Sequence, residues 1–428
     1  MELIRASRAI AGGSSRADYG FVIDAGTIVD AGDYSAIRGR NPEAQVRAFP
    51  ADRLVVPGFV NGHSHAYQIL LRGWADDWTF DRWRSEALYR VVPHLTPDDV
   101  YWIFFAAFSE MLAAGITSVA EFFYLNGAGN AHAEAALAAA KETGIRIAFA
   151  RTWMDADYAP PQFRETTTLA QERTLALMEA YPWANVCVAP HSLHAASHAM
   201  IRAAADFARS YECAMHVHVA EAPYEGAQTS EKHGATPIVL LDRLDALDER
   251  TVAIHAIHIT EEEKRLLAER RARVIHNPMT NQYLGDGICD VVGLQALGVT
   301  MGLGTDADVK PSIIDEMRAA TLLQKIARLD GSALGAKAAF EMGTSAGARA
   351  LGLPCGDLTP GNAADFLVLD ASRIDPWTPD VQGVVYRADD TWVQAAFVAG
   401  RRVYTGERSP VAAHAHAKLK EIADRVLP

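Results

Sequence analysis

The stretch Val56-Pro57-Gly58-Phe59-Val60-Asn61-Gly62-His63-Ser64-His65 decides how the rest of the chain is read. Its apolar run has the character of a buried strand, and two histidines stand two residues apart at its end. Residues at that spacing share one face of a strand, so both imidazoles can converge on one ion. Three more polar clusters close short apolar runs in the same way: His216-Val217-His218-Val219-Ala220-Glu221, Ile254-His255-Ala256-Ile257-His258 and Gly302-Leu303-Gly304-Thr305-Asp306. Histidines and an aspartate gathered at successive strand ends predict a one-metal hydrolytic centre at the mouth of a barrel.

Around these clusters strand and helix patterns alternate. Helical periodicity covers 98–114, 131–143, 168–181, 196–211, 261–269 and 313–329, and strand patterns cover 117–121, 145–151, 184–189, 214–219, 252–255, 273–276 and 299–303. With the strand before His63 this makes eight strands alternating with helices, which predicts an α/β fold of the (β/α)8 TIM-barrel type. The two ends differ. The first 55 or so residues read as short strands and turns rather than helices, and 365–370 and 392–404 are again strands around turns. The expected organisation is a small β-sandwich domain from residues 1–57 and 362–410, a hydrolase barrel over 58–361, and a C-terminal helix over 411–428.

The bulk numbers exclude several functions. A formal net charge of −13 over 428 residues, with no lysine- or arginine-rich run, argues against nucleic acid or an acidic membrane surface as partner. Charge interrupts every apolar stretch before it could span a bilayer. Met1-Glu2-Leu3-Ile4-Arg5 begins a strand-like segment rather than a signal peptide. Cys187, Cys213, Cys289 and Cys355 are spread singly, which predicts free thiols in a reducing compartment. A cytoplasmic protein with a small-molecule substrate is the expectation.

The motif Val56 to His65 resembles the opening of the amidohydrolase superfamily, in its cytosine-deaminase-like branch. His218-Val219-Ala220-Glu221 resembles the family's strand-five HxxE, His255 its strand-six histidine, His276-Asn277-Pro278-Met279-Thr280-Asn281 its HNPxxN segment, and Asp306 its strand-eight aspartate. The resemblance runs the length of the chain and implies a homodimer. His63, His65, His218 and Asp306 supply three nitrogens and one oxygen, a set suited to one divalent ion, zinc first and iron as the alternative. Two-metal branches carry a lysine at the end of strand four, and Val186-Cys187-Val188-Ala189-Pro190-His191-Ser192-Leu193-His194 has none. Hydroxide formed at the ion would attack a C=N carbon and release ammonia. In that scheme Asp306 also accepts the water's proton, Glu221 passes a proton to the substrate nitrogen, and His255 orients the nucleophile or polarises the intermediate.

For the substrate, Gln68, Trp83-Arg84, Leu88-Tyr89-Arg90, Ala120-Glu121-Phe122-Phe123-Tyr124 and Ala189-Pro190-His191-Ser192-Leu193 resemble formimidoylglutamate deiminase. That resemblance implies a substrate pocket lined by Gln68, Arg84, Tyr124 and His191, with Arg84 gripping a carboxylate, and an N-formimino amino acid as substrate. The family carries an arginine where this chain has His194, so the carboxylate site differs there. Leu70-Leu71-Arg72-Gly73-Trp74-Ala75-Asp76-Asp77 and the stretch from Asp315 to Lys325 instead resemble deaminases of methylthioadenosine, S-adenosylhomocysteine and triazines. The alternative is therefore an aromatic aminohydrolase of a purine, pterin, triazine or adenosine-type thioether. A non-catalytic assembly protein on the same barrel would have lost ligands, and none is missing. His216 and His258 are expected to be structural, and His94, His132, His198, His233, His414 and His416 to be surface residues.

Overall fold

Short runs of small and β-branched residues, apolar on both faces, form the parallel strands of a closed barrel, as strands covered by helices on one side and packed on a core on the other must. A computed structural model describes residues 1–427, the side chain of residue 81 excepted. In chain order the barrel strands are β1 (Phe59–Ser64), β2 (Ile116–Phe123), β3 (Arg146–Trp153), β4 (Val186–Pro190), β5 (Met215–Val219), β6 (Thr251–His255), β7 (Arg273–His276) and β8 (Met301–Leu303). Each pairs with its sequence neighbour, so spatial order equals chain order. The ring closes just beyond β8. The N–H groups of Thr305 and Asp306 donate to the His63 carbonyl at 3.0 and 2.9 Å, and the His65 N–H donates to the Asp306 carbonyl at 2.8 Å.

The long helices fall where the periodicity puts them, within a residue or two at each end: Pro97–Ala113, Ala131–Thr143, Thr167–Ala180, His198–Ser210, Glu261–Glu269 and Ile313–Arg328. Two of them begin with reciprocal capping boxes, Thr96 with Asp99 and Thr260 with Glu263. Short helices escape the sequence reading. Tyr34–Arg40 lies in the stretch expected to hold no helix; it is seven residues long, capped by Asp33, and buries only Ile37, so it shows no apolar period. Glu225–His233, Pro237–Arg243, Ala336–Met342 and Ser345–Leu351 are comparably short. The C-terminal helix runs Pro410–Val426, and residue 428 of the expected span lies outside the described residues.

Strands from both termini build one mixed seven-stranded sheet: Glu2–Ala11, Ser14–Asp24, Thr27–Asp33 and Gln45–Pro57 join Phe366–Asp370, Val393–Val398 and Arg401–Tyr404. Its own core holds Phe21, Phe366 and Phe397, with the last two stacked at 4.2 Å between ring centroids. Gln45–Pro57 runs straight into β1, so the sheet fixes where the first metal-binding motif enters the barrel. No helix among the described residues is long and apolar enough to cross a membrane. All the cysteines are free.

One buried carboxylate ties the sheet to the barrel. Arg146, at the start of β3, donates from Nε and Nη2 to the two oxygens of Asp365 at 2.6 and 2.9 Å. The same carboxylate accepts the Ala399 N–H at 2.7 Å, and the Asp365 carbonyl accepts the Gly58 N–H at 2.9 Å. Removing one partner of a buried, hydrogen-bonded pair leaves an uncompensated charge. Asp365→Ala is expected to lower the unfolding free energy by about 3–5 kcal/mol in denaturant titration; a loss under about 1 kcal/mol, the range of a surface pair, would contradict this role.

Candidate metal centre and substrate cavity

The strand ends deliver their side chains to one point. His63 and His65 project from the end of β1, His218 from β5, and Asp306 from just past β8, all of them buried. Their ligand atoms lie within 4.8 Å of one another. His63 Nε2 and His65 Nε2 stand 3.3 and 3.5 Å from Asp306 Oδ1. His218 Nε2 is 3.2 Å from His63 Nε2 and 3.3 Å from His65 Nε2.

Hydrogen bonds on the far side of two rings settle what those short nitrogen–nitrogen distances mean. His65 Nδ1 donates to the Phe122 carbonyl at 2.9 Å, and His218 Nδ1 donates to the His191 carbonyl at 3.0 Å. Each neutral ring therefore presents an Nε2 lone pair to the centre, and the two lone pairs face one another. Burial keeps them neutral: it is the main cause that lowers His65 to about 3, and it holds His218 well below the ordinary histidine range. Burial alone would raise the Asp306 carboxyl, but the hydrogen bond from His63 and the nearby imidazoles hold it well below the usual carboxylate range. Two lone pairs and a carboxylate directed at one point fit a divalent cation, and the carbonyl-anchored imidazoles are the usual way such a site is oriented.

His255 stands beside this group. Its Nδ1 accepts from Asn281 Nδ2 at 3.1 Å and faces Asn277 Nδ2 at 3.3 Å. The same Asn281 amide donates to Asp286 Oδ2 at 3.2 Å, which fixes its orientation. The ring proton of neutral His255 is then on Nε2, 3.5 Å from Glu221 Oε1 and 3.8 Å from Asp306 Oδ2. Burial pushes the Glu221 carboxyl well above its ordinary value, and Asp286, Asp306 and Glu225 add to the shift. His255 and Asp306 both hold left-handed backbone, φ 73° and 52°. Such conformations cost about 1–3 kcal/mol each and gather where a site requires them.

A cavity of about 230 Å³ opens onto the centre, and Gln68, Arg84, Tyr124, His191 and His194 all line it. Gln68 Nε2 donates to the Tyr124 hydroxyl at 2.9 Å, while the buried Gln68 Oε1 has no protein partner. The Arg84 guanidinium lies 4.3 Å from the ring centroid of Tyr158. His194 packs on the same ring and places Nε2 3.8 Å from Glu225 Oε2. Tyr158, Tyr224, Glu225 and Asp286 line the cavity too and were not foreseen. Only Asp286 carried a signal, its place between Gly285 and Gly287 soon after the HNPxxN segment.

Of the remaining histidines, His216 and His276 are buried with no partner for either ring nitrogen and stand outside the ligand group. His258 Nε2 donates to the Asp286 carbonyl at 2.7 Å, a structural role as expected. His132 corrects the reading of a surface residue: it is 7 % exposed and its Nδ1 donates to the Leu125 carbonyl at 3.1 Å. Its helix packs that turn against the barrel, and a periodic pattern of alanines hid it. His416 is half-buried and paired with Glu110 at 2.7 Å.

Fold and site together define a metal-dependent hydrolase on a (β/α)8 barrel. The amidohydrolase family model matches residues 54–403, and the chain belongs to that family; it is an enzyme that hydrolyses carbon–nitrogen bonds other than peptide bonds. It is 33 % identical over 359 residues to the 5′-deoxyadenosine deaminase of Methanothermobacter thermautotrophicus, covering 82 % of this chain and 81 % of the relative. It is 28 % identical over 408 residues to the 5-methylthioadenosine/S-adenosylhomocysteine deaminase of Acetivibrio thermocellus, covering 90 % and 91 %. The zinc-bound crystal structure of an adenosine deaminase from Xanthomonas campestris superposes with a TM-score of 0.90 at 27 % identity, over 99 % of this chain and 98 % of that one. These relatives are nucleoside deaminases rather than the formimidoylglutamate deiminase singled out by the pocket motifs.

An imidazole whose pKa is lowered stays neutral, and so stays a ligand, as pH falls through the ordinary histidine value of ~6.5. Dialysis at about pH 5.5 is therefore expected to leave about one ion per chain by elemental analysis, whereas His218→Ala should lose it at pH ~7.5. Release of the ion from the unaltered protein at the lower pH would contradict the buried, neutral state of His65.

Proposed function

We propose that the enzyme removes the amino group from an adenine ring carried by a 5′-deoxy or 5′-thioether nucleoside, releasing ammonia and leaving the oxopurine. The observation that carries this reading is the likeness to 5′-deoxyadenosine deaminase over most of both chains. The cavity supports it, since Trp83 and Tyr124 among its lining residues are aromatic side chains of the kind that pack against a purine.

In this reading His63, His65, His218 and Asp306 hold zinc. A divalent ion held there would lower the pKa of a water from ~15.7 toward ~7 and so would supply hydroxide at neutral pH. The chain's own residues handle the protons. Asp306 takes the proton given up by the attacking water. Glu221, whose carboxyl burial pushes well above its ordinary value, gives a proton to the ring nitrogen next to the carbon under attack. His255 directs its Nε2–H at the developing oxyanion, a donor held in place by Asn281. The proton held by Asp306 passes to the exocyclic nitrogen and the carbon–nitrogen bond breaks, so that ammonia leaves; the proton of the added hydroxyl returns to Glu221 as the carbon–oxygen double bond of the oxopurine forms. The unpaired Gln68 Oε1 is placed to accept an N–H of the bound substrate.

The N-formimino amino acid stands as a second reading because of one observation: the Arg84 guanidinium on the cavity wall. Metal-replete protein should be assayed for ammonia release from 5′-deoxyadenosine, 5′-methylthioadenosine, S-adenosylhomocysteine and N-formimino-L-glutamate. Turnover of the nucleosides and not of the formimino acid is expected. Arg84→Met should leave kcat/KM for the uncharged nucleosides within about threefold, while Glu221→Gln should lower kcat by about 10²–10⁴-fold. Turnover of the formimino acid alone, abolished by Arg84→Met, would replace the nucleoside reading with the second one.

A further inference from the structure

The turn that carries Glu221 is held by a second carboxylate. After β5 the chain passes through Ala220, in left-handed backbone at φ 53°, then Glu221 and Ala222, before the helix Glu225–His233 begins. Strand pairing has ended there, so these backbone N–H groups have no ladder partner. Glu225, the first residue of the helix, takes all three of them. Its Oε2 accepts the Ala220 N–H at 3.0 Å, and its Oε1 accepts those of Glu221 at 3.2 Å and Ala222 at 3.0 Å. An N-cap side chain accepts from N–H groups two or three residues further on, and a capping-box carboxylate reaches back only to the single N–H of the N-cap. Glu225 reaches backward instead, to the turn before its helix.

The other edge of the turn is held as firmly. The Ala220 carbonyl accepts the N–H groups of Ile257 and His258, both at 3.0 Å, and the Val219 carbonyl accepts that of Ala256 at 3.1 Å. Those donors directly follow His255. One short segment is thus anchored to Glu225 through its N–H groups and to the His255 turn through its carbonyls. What remains free at Glu221 is rotation of the side chain, whose Oε1 already lies 3.5 Å from His255 Nε2.

We propose that Glu225 is a positioning residue: it fixes the backbone from which Glu221 reaches the substrate nitrogen, and it contributes to turnover only through Glu221. This inference rests on the reading of Glu221 as the residue that moves that proton. A carboxylate is needed because both oxygens are used as acceptors, which glutamine cannot reproduce: its amide nitrogen would face one or two backbone N–H groups as a second donor.

The test uses the full-length, metal-loaded protein with Glu225→Gln, Glu225→Asp, Glu221→Gln and the double change Glu221→Gln/Glu225→Gln. Amide hydrogen exchange is measured first, without substrate. Faster exchange of residues 220–222 in Glu225→Gln, with the barrel strands and metal content unchanged, is expected. With a substrate that turns over, Glu225→Gln should lower kcat by about 10–100-fold and leave KM within about twofold, as expected for a misplaced proton donor. Glu225→Asp, which keeps both oxygens, should recover part of that loss. Added to Glu221→Gln, the Glu225→Gln change should cost less than about twofold more. Unchanged exchange at 220–222, losses that multiply in the double variant, or loss of metal and barrel protection in Glu225→Gln would each overturn the proposal. Failure of every nucleoside in the panel would sink the functional reading and leave this one to be decided by exchange.

Discussion

Barrel closure and metal binding are the same interaction in this protein. The bonds that join the end of β8 to β1 run between the Thr305–Asp306 segment and the backbone of His63 and His65, and these residues carry three of the four ligand atoms. The Asn61 amide locks the seam from inside, donating to Thr305 Oγ1 at 2.6 Å and accepting the Thr305 N–H at 3.0 Å. Gly304 is required at the crossing, because a Cβ there would lie 2.4 Å from Asn277 Oδ1 and 2.8 Å from the His63 nitrogen. A change in the strand register at this seam would move ligands by a pleat, and no side-chain rotation would restore them.

Such a centre forces polar groups into the core, and the chain answers with partners arranged in depth. Ser64, between the two histidine ligands, donates to Asp308 Oδ2 at 2.7 Å and lies 3.2 Å from Glu121 Oε2. Burial pushes Asp308 up to about 6 and Glu121 well above its ordinary value, the cost of holding carboxyl groups out of water behind the ligands. Arg72 holds the Asp308 carbonyl at 2.6 Å and pairs with Glu110, which in turn pairs with His416 on the C-terminal helix. The left-handed residues at the strand ends are tolerated because these bonds over-determine the local backbone. Rigidity at the ligands and strain at the turns therefore have one origin, the polar scaffold behind the metal.

What was legible in the sequence follows from how far each feature depends on local pattern. His63, His65 and Asp306 were readable because strand alternation and the end of an apolar run fix both face and depth, whereas His218 was told from His216 on the same face by the resemblance of His218-Val219-Ala220-Glu221 to the family's HxxE. The long helices were readable from period and caps, as at Thr96 and Thr260. Tyr158 was not, since it sits in the loop between β3 and the Thr167–Ala180 helix, where no period exists. Its place over Arg84 depends on how that loop is tied down, by Asp155 to Ser197 and by Arg164 to the Ala159 carbonyl. Glu225 was invisible for another reason. Its partners are backbone N–H groups, which leave no trace in residue identity.

The same distinction explains why reaction class and substrate separate so cleanly here. Attack at a carbon–nitrogen centre needs only the groups at the strand ends, and these are fixed by the barrel. Selection of a purine or an acyclic acid depends on the cavity wall, where Arg84 is the pivotal side chain. A guanidinium stacked on a tyrosine ring, as Arg84 is on Tyr158, is held flat, with a fork of N–H donors that matches a carboxylate. Its neighbour His194 packs on the same tyrosine ring, with its Nε2 3.8 Å from Glu225, the residue that holds the Glu221 turn. The groups that act on the carbon–nitrogen centre are thus set by the strand ends, whereas those that meet the rest of a substrate are set by the segments that follow the strands and carry Arg84, Tyr158 and His194.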